Sequence, residues 1–139
     1  SERGRTRLSG APARRVERLR PLLDTNILID YLRGVEEAAH LLDPLSERWI
    51  SIVTWMEVLA GAENPTEDAV LRDFLASFRI VELDAEVAAK AVEVRRERRV
   101  KLPDAIIYAS ALVTRCTLLT RNTKDFPVGT PDVQVPYQL

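Results

Sequence analysis

A chain of 139 residues, 46% of them hydrophobic, buries one full core and is too short to divide comfortably into two. Its single cysteine, Cys116, and single histidine, His40, exclude an internal disulfide and a cysteine-rich zinc cage, and leave carboxylates as the main catalytic material. The formal charge of −1 conceals an asymmetry: seven arginines stand in residues 1–20 against Glu2 and Glu17, so the remainder of the chain is acidic.

Residues 1–20 are rich in Arg, Gly, Ser and Pro without apolar periodicity, which reads as a flexible arm, either a native extension or a foreign segment. One domain is expected over residues 21–139. Leu22 and Leu23 read as a short buried strand stopping at Asp24, and Ile27, Leu28, Tyr31 and Leu32 recur at helical spacing until Gly34. A second helix is expected over Glu36 to Leu42, then a strand from Trp49 to Val53 and a helix from Thr54 to Glu63. Thr66 opens another helix, with Leu71, Phe74, Leu75 and Phe78 on one face, before a strand from Ile80 to Leu83. Asp84 caps a long helix to about Val100, and Pro103 starts a further one to about Arg115. Cys116 to Thr120 and Val133 to Val135 read as the last strands.

Short apolar strands alternating with helices imply an α/β fold with a mainly parallel sheet covered on both faces. Ligands of such sheets bind beyond the carboxyl ends of the strands. Asp24 and the loop from Thr120 to Asp125 fall at such ends, and Glu57 follows one closely. No apolar run reaches the ~20 residues of a membrane helix, and no signal-peptide core is visible, so a cytoplasmic protein is expected.

Each acid has an ordinary explanation beside the chemical one. Asp24 sits among Leu22, Leu23, Ile27 and Leu28, where a charge needs a partner; it reads as an N-cap, a cation ligand, or both if its two oxygens divide the work. Glu57 stands three residues after Thr54, the spacing of a capping box, yet Ala60 and Gly61 on its face leave room for another element. Asp104 shares a helix face with Ile107, Tyr108 and Ala111, whereas an acid serving only the helix dipole would point to water. The polar stretch Thr120, Arg121, Asn122, Thr123, Lys124 and Asp125 is ordinary turn chemistry in isolation.

Carboxylates converging from separate segments repel one another unless protonated or bridged by cations. Magnesium or manganese suits an oxygen-only site and supports phosphodiester hydrolysis. Arg33, Arg121 and Lys124 lie near enough to hold a nucleic acid backbone, while Arg95, Arg96, Arg98, Arg99 and Lys101 read first as cations complementing a helix end.

The order LLDTNILIDYLRG, TWMEVLAG, LPDAIIYASAL and LLTRNTKDF, over residues 22–126, resembles the PIN-domain family, particularly the VapC toxins. The resemblance implies a three-layer α/β/α sandwich, Mg2+- or Mn2+-dependent endoribonuclease activity, homodimerisation, and inhibition by a VapB-like antitoxin. It assigns Asp24, Glu57 and Asp104 to the metal site, places Asn122 where many members carry a fourth Asp, and adds Asp125 as a further acid. Thr120, with Thr25 and Asn26, matches the groups that support the first Asp. With Asn122 in the fourth corner, one well-held metal is expected. A noncatalytic module binding RNA or an antitoxin is the alternative, and a haloacid-dehalogenase-type phosphatase is disfavoured because Asn26 stands where that chemistry needs a second acid.

Overall fold

The computed structural model describes residues 20–139, so the expected arm lies, apart from Arg20, outside the described residues. The elements in chain order are β1 (Pro21–Leu23), α1 (Thr25–Leu32), α2 (Glu36–Leu42), β2 (Trp49–Ser51), α3 (Ile52–Ala60), α4 (Pro65–Leu75), β3 (Arg79–Val81), α5 (Ala85–Arg98), α6 (Leu102–Thr114), β4 (Thr117–Leu119) and β5 (Val133–Gln134). The strands form one sheet in the order β3-β2-β1-β4-β5, and every pairing is parallel.

Successive strand residues face opposite sides, and the core divides accordingly. Leu22 and Leu118 pack with Val87, Ala91 and Val94 of α5 and with Ala105, Ile107 and Tyr108 of α6. Leu23, Ile50 and Leu119 pack instead with Ile27 and Leu28 of α1, Leu42 of α2, Val58 of α3 and Leu75 of α4. The result is a three-layer α/β/α sandwich. Because both faces are covered, β1 and β4 are buried throughout and show no polar alternation. Truncating a leucine such as Leu22 or Leu119 to alanine costs about 2–5 kcal/mol at fully buried positions of this kind.

The topology creates the crevice. From β1 the chain builds β2 and β3 on one side, then crosses through α5 and α6 to place β4 and β5 on the other. The carboxyl ends of β1 and β4 therefore flank the switch point, where parallel sheets offer a ligand the most room.

Two expected boundaries move for reasons that matter. The strand expected to reach Val53 ends at Ser51, whose hydroxyl accepts from the Val53 N–H at 3.0 Å and caps α3. That cap outweighs the strand preference of Ile52 and Val53. Thr54 is consequently already inside the helix and caps nothing, so the capping box from Thr54 to Glu57 does not form. Similarly, α4 begins at Pro65 rather than Thr66, because the Asn64 side chain accepts from the Glu67 N–H at 2.8 Å and Pro65 fills the first turn. Asp84 caps α5 as expected, accepting from the Val87 N–H at 2.9 Å.

Candidate active site

A cleft of about 490 Å³ opens at the switch point, lined by Asp24, Glu57, Asp104 and Asn122 together with Thr25, Asn26, Ile29, Asp30, Arg33 and Arg121. Three separate pieces of chain thus bring Asp24, Glu57 and Asp104 to one place.

Asp24 follows β1 directly and is 4% exposed. Its two oxygens have different partners. Oδ1 accepts from the Thr25 N–H at 2.7 Å and caps α1, while Oδ2 accepts from the Thr120 hydroxyl at 2.7 Å and from Asn26 Nδ2 at 3.3 Å. Burial nevertheless dominates and pushes its pKa up to about 6, against the lowering effect of Thr120 and Thr25 and with added repulsion from Asp104 and Glu57.

Glu57, relieved of capping, is exposed to the cleft from the middle of α3. Its Oε1 accepts from the Thr25 hydroxyl at 2.6 Å. Thr25 and the fully buried Thr54 have their hydroxyl oxygens 2.9 Å apart. Thr25 has one proton to give, and with that proton on Glu57, Thr54 becomes the donor between the two hydroxyls. Thr54 therefore serves Glu57 through Thr25 rather than as the cap that its spacing suggests.

Asp104 sits in the first turn of α6, half-buried, with Ile107, Tyr108 and Ala111 of its face buried as expected. Burial raises its pKa, the charges of Asp125 and Glu57 add to the rise, and Lys101 opposes it. Asn122 lines the cleft, but its side chain is paired with Asp125: Nδ2 donates to Asp125 Oδ2 at 2.9 Å, and Oδ1 accepts from the Asp125 N–H at 3.1 Å. Asp125 stands behind Asn122 and reaches the cleft through its charge on Asp104.

A fourth carboxylate in the cleft, Asp30, behaves oppositely and was not singled out from the sequence. It is 4% exposed and receives Arg121 Nε on Oδ2, Arg121 Nη2 on Oδ1 at 3.0 Å, and the Tyr137 hydroxyl on Oδ2 at 2.7 Å. Burial alone would raise its pKa, but the bonds from Arg121 and Tyr137 and the charges of Arg121 and Arg33 hold it below the usual carboxylate range. A signal existed: Asp30 lies one helical turn after the fully buried Ile27, where a carboxylate requires a partner. The partners were invisible because they lie 91 and 107 positions away.

Of the expected phosphate-holding residues, Arg33 and Arg121 line the cleft and Lys124 does not. Arg121 is committed to Asp30, whereas Arg33 is exposed and makes no ion pair among the described residues. The cleft therefore separates into a neutralised half, Asp30 with Arg121, and an acidic half, Asp24 with Glu57 and Asp104, that has no ion pair among the described residues.

A PIN domain family model matches residues 22–128, which spans every element from β1 to the loop after β4. The chain belongs to the PIN domain family. Among relatives of this PIN domain, Ribonuclease VapC19 of Mycobacterium tuberculosis is 34% identical over 125 residues, covering 84% of this chain and 98% of its own. Ribonuclease VapC1 of Methanocaldococcus jannaschii is 31% identical over 110 residues, covering 76% and 77% respectively. A toxin-antitoxin complex from Klebsiella pneumoniae contains a chain 43% identical to this PIN domain, with a TM-score of 0.80 over 86% of this chain and 99% of that one. FitAcB from Neisseria gonorrhoeae superposes with a TM-score of 0.71 at 28% identity over 86% of this PIN domain and 99% of the other chain.

Proposed function

We propose that this chain is an endoribonuclease that hydrolyses RNA phosphodiesters with a divalent cation, Mg2+ or Mn2+, and is the toxin of a VapBC-type pair. The observation that carries the reading is the unequal treatment of four carboxylates in one cleft. Asp30 is ion-paired with Arg121, whereas Asp24, Glu57 and Asp104 share the pocket with no ion pair among the described residues, and the neighbouring carboxylates raise the proton affinity of Asp24 and Asp104. An all-oxygen set of this kind fits a hard divalent cation.

Asp24 and Asp104 would hold the ion, with Glu57 as a further ligand or as the group that orients water. Among the described residues no three Asp, Glu, His or Cys side chains form a closed ligand cluster, so water and substrate oxygens would complete the coordination. When bound, the ion supplies positive charge for the phosphodiester and makes nearby water more acidic. The rest falls to the protein. Thr25 holds Glu57 in place by donating to its Oε1, Thr120 and Asn26 fix the second oxygen of Asp24, and Arg33 offers a guanidinium at the rim to an RNA phosphate. Asn122, tied to Asp125, leaves the fourth corner without a charge of its own, which favours one tightly held cation over two.

The relatives named as ribonucleases and the Klebsiella chain's place in a toxin-antitoxin complex support RNA as substrate and a VapB-like antitoxin as partner. In this reading the toxin acts in the cytoplasm; no helix among the described residues is long and apolar enough to cross a membrane. The test is cleavage of total RNA with Mg2+, with chelator, and with Asp24→Asn. Cleavage that is lost in chelator and in a folded Asp24→Asn variant supports the reading; undiminished cleavage by that variant sinks it. An inert wild-type chain that still binds RNA or antitoxin would identify the noncatalytic module instead.

A further inference from the structure

Tyr137 lies three residues after the end of β5, outside any helix or strand, yet its hydroxyl reaches Asp30 in the wall of the nuclease cleft. From there an unbroken series of hydrogen bonds runs to the first acid. Tyr137 donates to Asp30 Oδ2 at 2.7 Å, and Asp30 takes two donors from the Arg121 guanidinium. The Arg121 backbone N–H donates to Asn26 Oδ1 at 3.3 Å. Asn26 Nδ2 then donates to Asp24 Oδ2 at 3.3 Å and to the Thr120 hydroxyl at 3.2 Å, and Thr120 itself donates to Asp24 Oδ2. The same hydroxyl oxygen of Thr120 accepts from the Asn122 N–H at 3.0 Å.

This arrangement solves a mechanical problem. The loop after β4 carries Thr120 and Asn122 and has no regular structure of its own to hold it. Arg121, between them, is anchored to an α1 carboxylate, Asp30, whose two oxygens take its Nε and Nη2. A planar guanidinium joined at two nitrogens to two oxygens cannot swivel as an ammonium can. Tyr137 adds a third donor and ties the C-terminal segment to the same point.

We propose that Asp30, Arg121 and Tyr137 form a latch through which the C-terminal segment positions the Asp24 carboxylate, making all three positioning residues of the nuclease site. The proposal rests on the metal-dependent reading given above. It assigns Arg121 to site geometry and leaves the gripping of RNA to other cations.

Arg121→Lys and Tyr137→Phe test it. Arg121→Lys keeps the charge and loses the two-point joint; Tyr137→Phe removes one hydroxyl from a half-buried ring and spares the fold. Mg2+ binding to the RNA-free chain is measured by calorimetry, cleavage by kcat and KM, and RNA affinity in chelator by fluorescence anisotropy. Arg121→Lys is expected to weaken Mg2+ binding about 10-fold and to lower kcat comparably, with KM and chelator-state RNA affinity unmoved. Tyr137→Phe shifts the same quantities in the same direction by a smaller factor. Unchanged Mg2+ binding and kcat in both variants overturn the latch while the wild-type activity keeps the nuclease reading standing. A loss of RNA affinity with intact Mg2+ binding overturns it too, and returns Arg121 to the role of substrate contact. A wild-type chain that neither binds Mg2+ nor cleaves RNA overturns the reading beneath, and the latch with it. Should Arg121→Lys lose its folded circular dichroism, Tyr137→Phe alone decides.

Discussion

The Thr120 hydroxyl donates to Asp24 Oδ2 at 2.7 Å across 96 positions of sequence, joining the ends of the two central strands at the mouth of the cleft. It is the bond that most lowers the proton affinity of an otherwise strongly desolvated acid. Thr120→Val removes it and also strips Asn26 Nδ2 and the Asn122 N–H of an acceptor. Asp24 then holds its proton more tightly, so the acid limb of the cleavage pH profile moves to higher pH. A hydrogen bond to a charged group is worth about 1.5–3 kcal/mol, so a shift of about one pH unit or more is expected, with Thr120→Ser restoring the wild-type profile. An acid limb that stays in place in Thr120→Val would show that Asp24 is not the group being titrated.

Asp24 also sets how the metal-free chain responds to pH. Its folded pKa, about 6, lies above the ordinary aspartate value of 3.8, so the folded state keeps a proton that the unfolded chain has released. Stability from this group is therefore fully present below about pH 4, declines as pH rises to about 6, and is level above that, with a total loss of about 3 kcal/mol. Asp24→Asn removes that slope and leaves the chelator-treated protein more stable than wild type at pH 7. Urea midpoints measured in chelator from pH 4 to 8 check this. Parallel curves for the two proteins would contradict it.

Asp30 has the opposite sign. Held below the usual carboxylate range, it contributes stability that is present above its unfolded pKa and lost as pH falls through the lower folded value, at the acid edge below about pH 4. Asp30→Asn leaves the Arg121 guanidinium without its counter-charge in a half-buried position, and breaking one side of a buried pair costs about 3–5 kcal/mol. Thermal unfolding at pH 7 should therefore show Asp30→Asn well below wild type, the reverse of Asp24→Asn. Equal melting temperatures for wild type and Asp30→Asn would mean the pair adds nothing to stability.

The two aspartates show why the site was only partly readable beforehand. Asp24 and Asp104 announced themselves through apolar neighbours, and a parallel sheet, though not its strand order, followed from short strands alternating with helices. Glu57 stayed ambiguous because Thr54 mimics a cap at the right spacing; only Ser51, by taking the cap, moves Thr54 into the helix interior and turns it toward Thr25. The Asp30, Arg121 and Tyr137 contact joins residues 91 and 107 positions apart. No local spacing encodes it, since it arises only when β4 and the C-terminal segment pack beside α1.

Glu57→Gln separates charge from hydrogen bonding. The amide oxygen still accepts from Thr25, so the side chain keeps its place, while the repulsion on Asp24 and Asp104 disappears. The variant should melt no lower than wild type in chelator yet lose at least about 100-fold in cleavage, the scale associated with a positioned acid or base. Retention of near-normal kcat would restrict Glu57 to a structural role.

Arg33 differs from Arg121 in what its charge is for. Both line the cleft, but Arg121 is consumed by a buried carboxylate, and Arg33 is exposed at the end of α1 with no ion pair among the described residues. A cation so placed neutralises an RNA phosphate at little structural cost. Arg33→Ala should therefore leave melting temperature and Mg2+ binding unchanged and weaken RNA binding. Each phosphate contact to single-stranded nucleic acid contributes about 0.7 to the slope of log affinity against log salt, so the magnitude of that slope should fall by about this amount. An unchanged salt dependence in Arg33→Ala would show that this guanidinium does not hold an RNA phosphate and that the cleft grips its substrate through other cations.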